Sequence, residues 1–182
     1  EWLLREALGQ PSVRDVFETL CLRLAGIGIP IARARLNWPT LHPLFRAEMV
    51  RWDRGTGPAA VEYFHHQDQN SEAWQQSPLP FMLEAGIPIL RRRLSGPGKV
   101  VDFPLLNELA DRGLTDYIAF KTAFDEAELV AESRMAGIFV IWGTDRDSGF
   151  TDEDIDVSNL EELIWAMLTR GEDYRGPVLI GA

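Results

Sequence analysis

Cysteine and long apolar runs are scarce in this 182-residue sequence, and both absences restrict where the protein works. The single cysteine, Cys21, has no second cysteine with which to form an internal disulfide, which favours a reducing compartment, by default the cytoplasm. No apolar run approaches the roughly 20 residues of a membrane helix, so we predict no membrane association. Residues Glu1–Glu6 lack the features of a signal peptide. They also lack an initiator methionine, which indicates a segment of a longer chain.

Positive charge is also in short supply. Lys and Arg number 18 against 28 Asp and Glu, which gives a formal net charge of -10. A general nucleic-acid-binding surface depends on clustered Lys and Arg, so nucleic acid is not an expected partner. Hydrophobic residues make up 46% of the chain, enough for one sizeable core and one domain.

The residue patterns of common catalytic sites are missing. No serine lies in a Gly-x-Ser-x-Gly motif, and neither common phosphate-binding glycine loop is present. Cys21 falls on the apolar face of a predicted helix, which indicates an inert core thiol rather than a nucleophile. His65 and His66 are adjacent on a predicted strand and would point to opposite faces, which disfavours a shared metal. We therefore predict that the chain is not an enzyme.

The pattern of apolar residues predicts an α+β domain organised around the stretch from Gly137 to Glu153. Ile138–Trp142 is β-branched or aromatic throughout, as in a strand buried on both faces. A polar exit loop follows, and Thr151 is positioned to cap a terminal helix. Neighbouring strands with short connections indicate an antiparallel sheet. The other predicted strands are Ile29–Trp38, Leu44–Trp52, Val61–His66, Ile87–Leu94 and Thr115–Phe124, and the alternation of the last predicts a half-exposed strand. The other predicted helices are Trp2–Leu8, Ser12–Gly26, Pro78–Ala85 and Asp102–Gly113, with Asp102 as the cap of the last. Gln67–Gln76 is predicted to be a loop.

Two further groups of residues bear on binding. The run Arg91-Arg92-Arg93 could meet an anion or an acidic partner, and a solvated strand face explains it equally well. Aromatic residues come from separate strands and loops around the predicted sheet. Most are expected to be core, although a sheet covered by short helices often leaves an apolar pocket.

Several motifs together resemble the GAF-like amino-terminal regulatory domain of bacterial class III adenylate/guanylate cyclases. The resemblance covers most of the stretch from Trp2 to Leu168, in the same order. The matching motifs are Thr40-Leu41-His42-Pro43-Leu44-Phe45-Arg46, Trp52, Trp74 with Ser77-Pro78, Met82-Leu83, Arg91-Arg92-Arg93-Leu94, Asp102-Phe103-Pro104-Leu105-Leu106, Gly113-Leu114-Thr115-Asp116-Tyr117 and Gly149-Phe150-Thr151.

The resemblance implies one GAF-like sensor domain over residues 1–171, an antiparallel sheet flanked by helices, followed by a tail over residues 172–182. Its partner would be a cyclase catalytic domain in the parent chain. Cyclase catalytic domains carry Phe-x-Asp-x-x-Gly-Phe-Thr, and here Arg146 occupies the position of the metal-binding Asp before Gly149. The implied function is thus non-catalytic regulation, with no cofactor specified. The family often dimerises through its terminal helices, here Trp2–Leu8 and Leu160–Leu168.

In such domains a ligand lies between the sheet and the segments that cover one face, here Gln67–Gly86 and Gly96–Gly113. An aromatic wall with one or two polar donors would suit a planar or anionic small molecule, such as a nucleotide or an aromatic acid. The alternative is an aromatic core without a cavity, in which case the chain is a dimerisation or interaction module without a ligand. The predicted ligand-binding residues are His42, Arg46, Trp52, Phe64, Trp74, Phe81 and Tyr117.

Overall fold

Helix α1 (Val13–Gly26) begins where the sequence predicts it. The structure is a computed structural model that describes residues 12–40, 42–122 and 138–155. The Ser12 hydroxyl accepts a hydrogen bond from the Asp15 backbone N–H at 3.2 Å, which satisfies one open donor of the first turn. The apolar positions Val16, Phe17, Leu20 and Cys21 are buried against the sheet, as their helical spacing predicts.

In the described part of the chain, six antiparallel strands form one sheet in the order β3-β2-β1-β6-β5-β4. The first and the last described strands are neighbours at its centre, where Leu36 of β1 lies opposite Val50 of β2 and Val140 of β6. Every residue of β6 is buried, which confirms the prediction of a strand covered on both faces. The strands are β1 (Arg33–Pro39), β2 (Phe45–Asp53), β3 (Ala60–His65), β4 (Ile89–Arg93), β5 (Asp116–Thr122) and β6 (Ile138–Thr144).

Helices cover both faces of this sheet, which confirms the predicted α+β class. Helix α1 packs on one face, which we call the α1 face, around Phe17, Leu36 and Trp142. The opposite face, which we call the α4 face, is covered by α2 (Glu72–Gln75), α3 (Pro78–Glu84) and α4 (Pro104–Asp111). None of the described helices is long and apolar enough to cross a membrane.

Three segments differ from the sequence prediction. The stretch Gln67–Gln76, predicted to be a loop, holds a 3-10 helix (His66–Asn70) and then α2, because Ser71 caps α2 through the Trp74 N–H. Asp102 does not cap α4: its carboxylate is held by Arg92 at 2.8 Å, and Phe103 occupies the N-cap position. Strand β5, predicted to be half exposed, is buried from Asp116 to Phe120 because it lies inside the sheet.

Other predicted segments lie outside the described residues. These are the helices Trp2–Leu8 and Leu160–Leu168, with the dimer that they were predicted to form, and the tail after Gly171. At the end of the described chain, Thr151 and Asp154 form the reciprocal hydrogen bonds of a capping box, Asp154 N to Thr151 Oγ1 at 3.2 Å and Thr151 N to Asp154 Oδ2 at 2.7 Å.

Candidate functional site

The α4 face carries an unusual strip of polar side chains along the central strand β1. Its even-numbered residues Ala34, Leu36 and Trp38 belong to the α1 core. The odd-numbered residues Arg33, Arg35 and Asn37 therefore point to the α4 face, where a core would normally be apolar. Arg33 is 9% exposed and Asn37 is 6% exposed. A buried guanidinium at the centre of a sheet indicates a site rather than simple packing.

A small void beneath α4 collects the polar atoms of this strip. Arg33, Arg35 and Tyr117 line it together with the apolar side chains of Leu105, Leu109, Leu114 and Ile141. The enclosed space is about 10 Å³, which is room for about one water molecule. Within the described part of the chain, three buried atoms there have no hydrogen-bond partner: Arg33 Nε, Arg35 Nε and Tyr117 Oη. We call Arg33, Arg35 and Tyr117 the α4 site.

Burial shifts the protonation equilibria of all three residues. Burial, followed by repulsion from the Arg35 charge, lowers the pKa of Arg33 to about 10. Burial also lowers the pKa of Arg35, while the neighbouring Tyr117 acts in the opposite direction. The pKa of the Tyr117 phenol is raised by burial. A pKa of about 10 leaves Arg33 charged at neutral pH, and arginine side chains in proteins are in general protonated there. Tyr117 remains a neutral hydroxyl that can donate or accept.

The structure places Tyr117 in the α4 site and four other predicted ligand-binding residues elsewhere on the same face. Phe64 and Trp74 pack against its core cluster, and the Arg46 guanidinium lies over the Trp74 ring at 4.8 Å from the centroid. Phe81 is 40% exposed, with its ring 5.6 Å from that of Phe103. Trp74 and Phe81 belong to the helical cover, whereas Arg46 lies on β2 and Phe64 on β3.

His42 and Trp52 lie apart from the other predicted site residues. His42 is exposed and stacks on Phe45 with centroids 4.9 Å apart. Trp52 is buried in the α1 core, on the opposite face from Tyr117. Trp52 and Arg46 were predicted to line one pocket, but a register irregularity between Phe45 and Ala47 turns Arg46 to the α4 face. Trp52 therefore cannot line a pocket with Tyr117.

The run Arg91-Arg92-Arg93 has a structural role that neither sequence interpretation included. Asp116, at 0% exposure, accepts from Arg91 Nη2 at 2.7 Å and lies 3.5 Å from Arg93 Nη1. Arg92 points to the other face and binds Asp102. All three arginines thus have acidic partners within the chain, which leaves little reason for them to bind an external anion.

Sequence reasoning missed Arg33 and Arg35 as members of the site. Their alternation with Ala34 and Leu36 is typical of a strand with one solvent-exposed face. The two arginines are unusual only because β1 lies inside a sheet that helices cover on both faces. The available signal was the presence of two arginines beside the wholly apolar run of β6, which pairs with β1.

Metal-ligating and nucleophilic groups do not converge in the described residues. No group of three or more His, Cys, Asp or Glu side chains lies close enough there to hold a metal ion. Cys21 is fully buried, and burial raises the pKa of its thiol, which keeps it in the unreactive protonated form. What the α4 site offers chemically is two cations and one hydroxyl, a set suited to binding.

No family model matches the chain, and comparisons with curated proteins and with solved structures give no significant match.

Proposed function

We propose that this chain is a non-catalytic sensory or regulatory domain of a bacterial nucleotide cyclase, a GAF-like module that binds a small molecule and modulates a cyclase. The observation that carries ligand binding is the group of three buried polar atoms in the α4 site that have no hydrogen-bond partner among the described residues. The link to a cyclase rests on the motifs that the sequence shares with that family. A six-stranded antiparallel sheet with helices on both faces agrees with the architecture that the resemblance implies.

The energetic cost of the α4 site supports a binding role. A buried donor or acceptor without a partner costs about 1–3 kcal/mol, and more where the group is charged. One water in the void can reduce this cost, but a single water cannot neutralise the charges of Arg33 and Arg35. A ligand with an acidic and a planar part would satisfy the guanidinium groups and Tyr117 Oη together.

Because the void beneath α4 is small, ligand binding requires a conformational change. The space holds about one water, so a metabolite can enter only if α4 moves away from the sheet. After α4 the chain reaches Thr115, whose hydroxyl donates to the backbone oxygens of Thr144 at 3.1 Å and Arg146 at 2.5 Å. A displacement of α4 would therefore act on the segment that leads towards residue 155. This coupling is how we propose that a ligand signals to an attached cyclase.

The experiment that tests this function is a thermal-shift screen of nucleotides and aromatic acids, with the variant Tyr117→Phe and the control Tyr63→Phe. Without ligand, Tyr117→Phe should melt at the same temperature or up to about 3 °C higher, because it removes an unpartnered buried hydroxyl. A ligand at a hundredfold excess over its Kd should stabilise the wild type by about 2.7 kcal/mol and Tyr117→Phe by less. Tyr63 is 53% exposed on β3, so the same chemical change there should have no effect.

Two results would count against the proposal. One is a panel in which no compound raises the melting temperature of the wild type. The other is a Tyr117→Phe variant that loses stability without ligand, because its hydroxyl would then be a structural group. Either result would favour the alternative of an interaction module with a filled core.

A further inference from the structure

A second concave region adjoins the α4 site at the end of the sheet where β1 begins and β2 ends. It is an open cleft of about 580 Å³, within the size range of small-molecule sites. Arg33 and Leu114 line both the cleft and the void beneath α4. We call this region the arginine cleft; its charged lining residues are Arg33, Arg51, Arg54, Arg112, Asp53 and Asp145.

Positive charge is in excess in the arginine cleft, although the chain as a whole carries a formal net charge of -10. Four guanidinium groups face two carboxylates. Asp53 is shared between Arg33 Nη1 at 3.5 Å and Arg51 Nε at 3.1 Å, and Arg51 Nη1 also binds Glu62 Oε1 at 2.6 Å. Asp145 is paired with Arg54. Arg112 makes no ion pair with any residue in the described ranges. Once Glu62 is counted, the local excess amounts to one positive charge, carried by Arg112 and the weakly paired Arg33.

Arg33 supplies an independent reason to expect a ligand. Its side chain is 10% exposed, and its Nε is buried without a partner among the described residues. The contact to Asp53 at 3.5 Å is long for a charge-assisted hydrogen bond, which is normally 2.7–2.9 Å. Arg33 is thus a buried cation whose hydrogen-bonding capacity is largely unused.

We infer that the arginine cleft binds a phosphate dianion, either as inorganic phosphate or as the phosphate group of a nucleotide or sugar phosphate. The positive excess on Arg33 and Arg112 favours an anion, and the oxygens of phosphate can accept hydrogen bonds from both guanidinium groups. The four arginines come from separate elements, β1, β2, the turn after β2 and the end of α4, and so approach the cleft from different sides. A tetrahedral ion offers several oxygens to such an arrangement, whereas a carboxylate offers two.

The acidic residues of the cleft allow the direction of the change in phosphate affinity to be predicted for each substitution. Asp145 neutralises Arg54 at the mouth of the cleft, where both side chains are 47% exposed. Removing its charge should free Arg54 for phosphate and tighten binding. Removing the charge of Arg112 or Arg54 should weaken binding. A residue with only a structural role would not produce opposite effects of this kind.

The test is isothermal titration of the full 182-residue chain with inorganic phosphate, AMP, adenosine and malonate at low ionic strength. Arg112→Gln and Arg54→Gln should each weaken phosphate binding about tenfold, the typical value of a charge-assisted hydrogen bond. Asp145→Asn should strengthen it a few-fold. The matched control is Arg14→Gln on α1, outside the cleft, which removes an equally exposed arginine paired with Asp15 and should leave the affinity unchanged.

The panel also identifies the source of the phosphate. Equal affinity for inorganic phosphate and AMP indicates the free ion, and tighter binding of AMP than of both phosphate and adenosine indicates a nucleotide. The inference is overturned if neither phosphate compound binds at millimolar concentration, if malonate binds as tightly as phosphate, or if Arg14→Gln weakens binding as much as Arg112→Gln. These measurements need no cyclase, so the failure of the regulatory proposal would leave their outcome unaffected.

Discussion

Substitution of Asp116 by Asn tests whether the buried carboxylate holds the sheet to the loop after β6. Asp116 Oδ2 accepts from Arg91 Nη2 at 2.7 Å and from the Phe150 backbone N–H at 3.1 Å. Its Oδ1 accepts from its neighbour, the Tyr117 N–H, at 3.0 Å. Asn preserves the shape of the side chain, but it removes the charge and turns one acceptor into a donor that faces other donors.

The expected loss of stability follows from the burial of the partners. Removing one member of a buried ion pair costs about 3–5 kcal/mol, because the remaining charge is left uncompensated. The side chains of Arg91 and Arg93 are 33% and 28% exposed, so both can turn partly towards water. We therefore expect the lower end of the range, about 3 kcal/mol. For a chain of this size this corresponds to a fall in Tm of about 6–12 °C.

Urea denaturation followed by tryptophan fluorescence measures this loss, with Asp102→Asn as the matched control. Asp102 makes the same kind of pair with Arg92, at 2.8 Å, but its side chain is 39% exposed. An exposed pair contributes at most about 1 kcal/mol, so Asp102→Asn should change the free energy of unfolding little. If Asp116→Asn costs less than about 1 kcal/mol, or no more than Asp102→Asn, the carboxylate does not hold this junction together.

Two further predictions concern the packing around this junction and around α1. Gly149 has φ +72°, and a methyl group there would meet Arg93 Nη1 and Asp116 Oδ2, so Gly149→Ala should lose about 2–4 kcal/mol in urea denaturation. The control is Gly96→Ala, at φ +69° with open space around it, which should lower the free energy of unfolding by about 1 kcal/mol through backbone strain alone. Equal losses for the two variants would contradict the steric argument. The Cys21 thiol is fully buried, and burial raises its pKa. It should therefore react with a disulfide reagent at pH 8 only after unfolding. Rapid labelling of the native chain would disprove this prediction.

Local sequence patterns predicted those parts of the fold that local physics determines. The Ser12 cap and the apolar spacing of Val16 and Leu20 determine α1. The continuous apolar run of β6 predicts that this strand is buried on both faces. These features depend on neighbours within a few residues, so they could be read without the tertiary structure.

The candidate site depends on long-range contacts that no local pattern contains. Arg33 and Arg35 are notable only because β1 lies inside the sheet beneath α4. Arg46 reaches the α4 face through an irregularity in one strand pairing, which reverses the alternation from that point. Asp102, with the right position for a helix cap, instead binds Arg92 from a strand ten residues earlier. In each case a partner distant in the sequence overrides the local preference.

The arginines of this acidic chain form two groups, those with strong acidic partners and those with weak partners or none. An external anion can bind more readily to the second group. Arg91 and Arg93 share the carboxylate of Asp116, and Arg92 binds Asp102, so the most conspicuous basic run in the sequence is occupied internally. Arg33 and Arg112 have weaker or no acidic partners within the described ranges. At the first group an incoming phosphate would have to displace the exposed Asp102 from Arg92 or the buried Asp116 from Arg91 and Arg93, the latter at a cost of several kcal/mol. At the second it would meet cations that are incompletely paired, so the less conspicuous arginines form the better binding site.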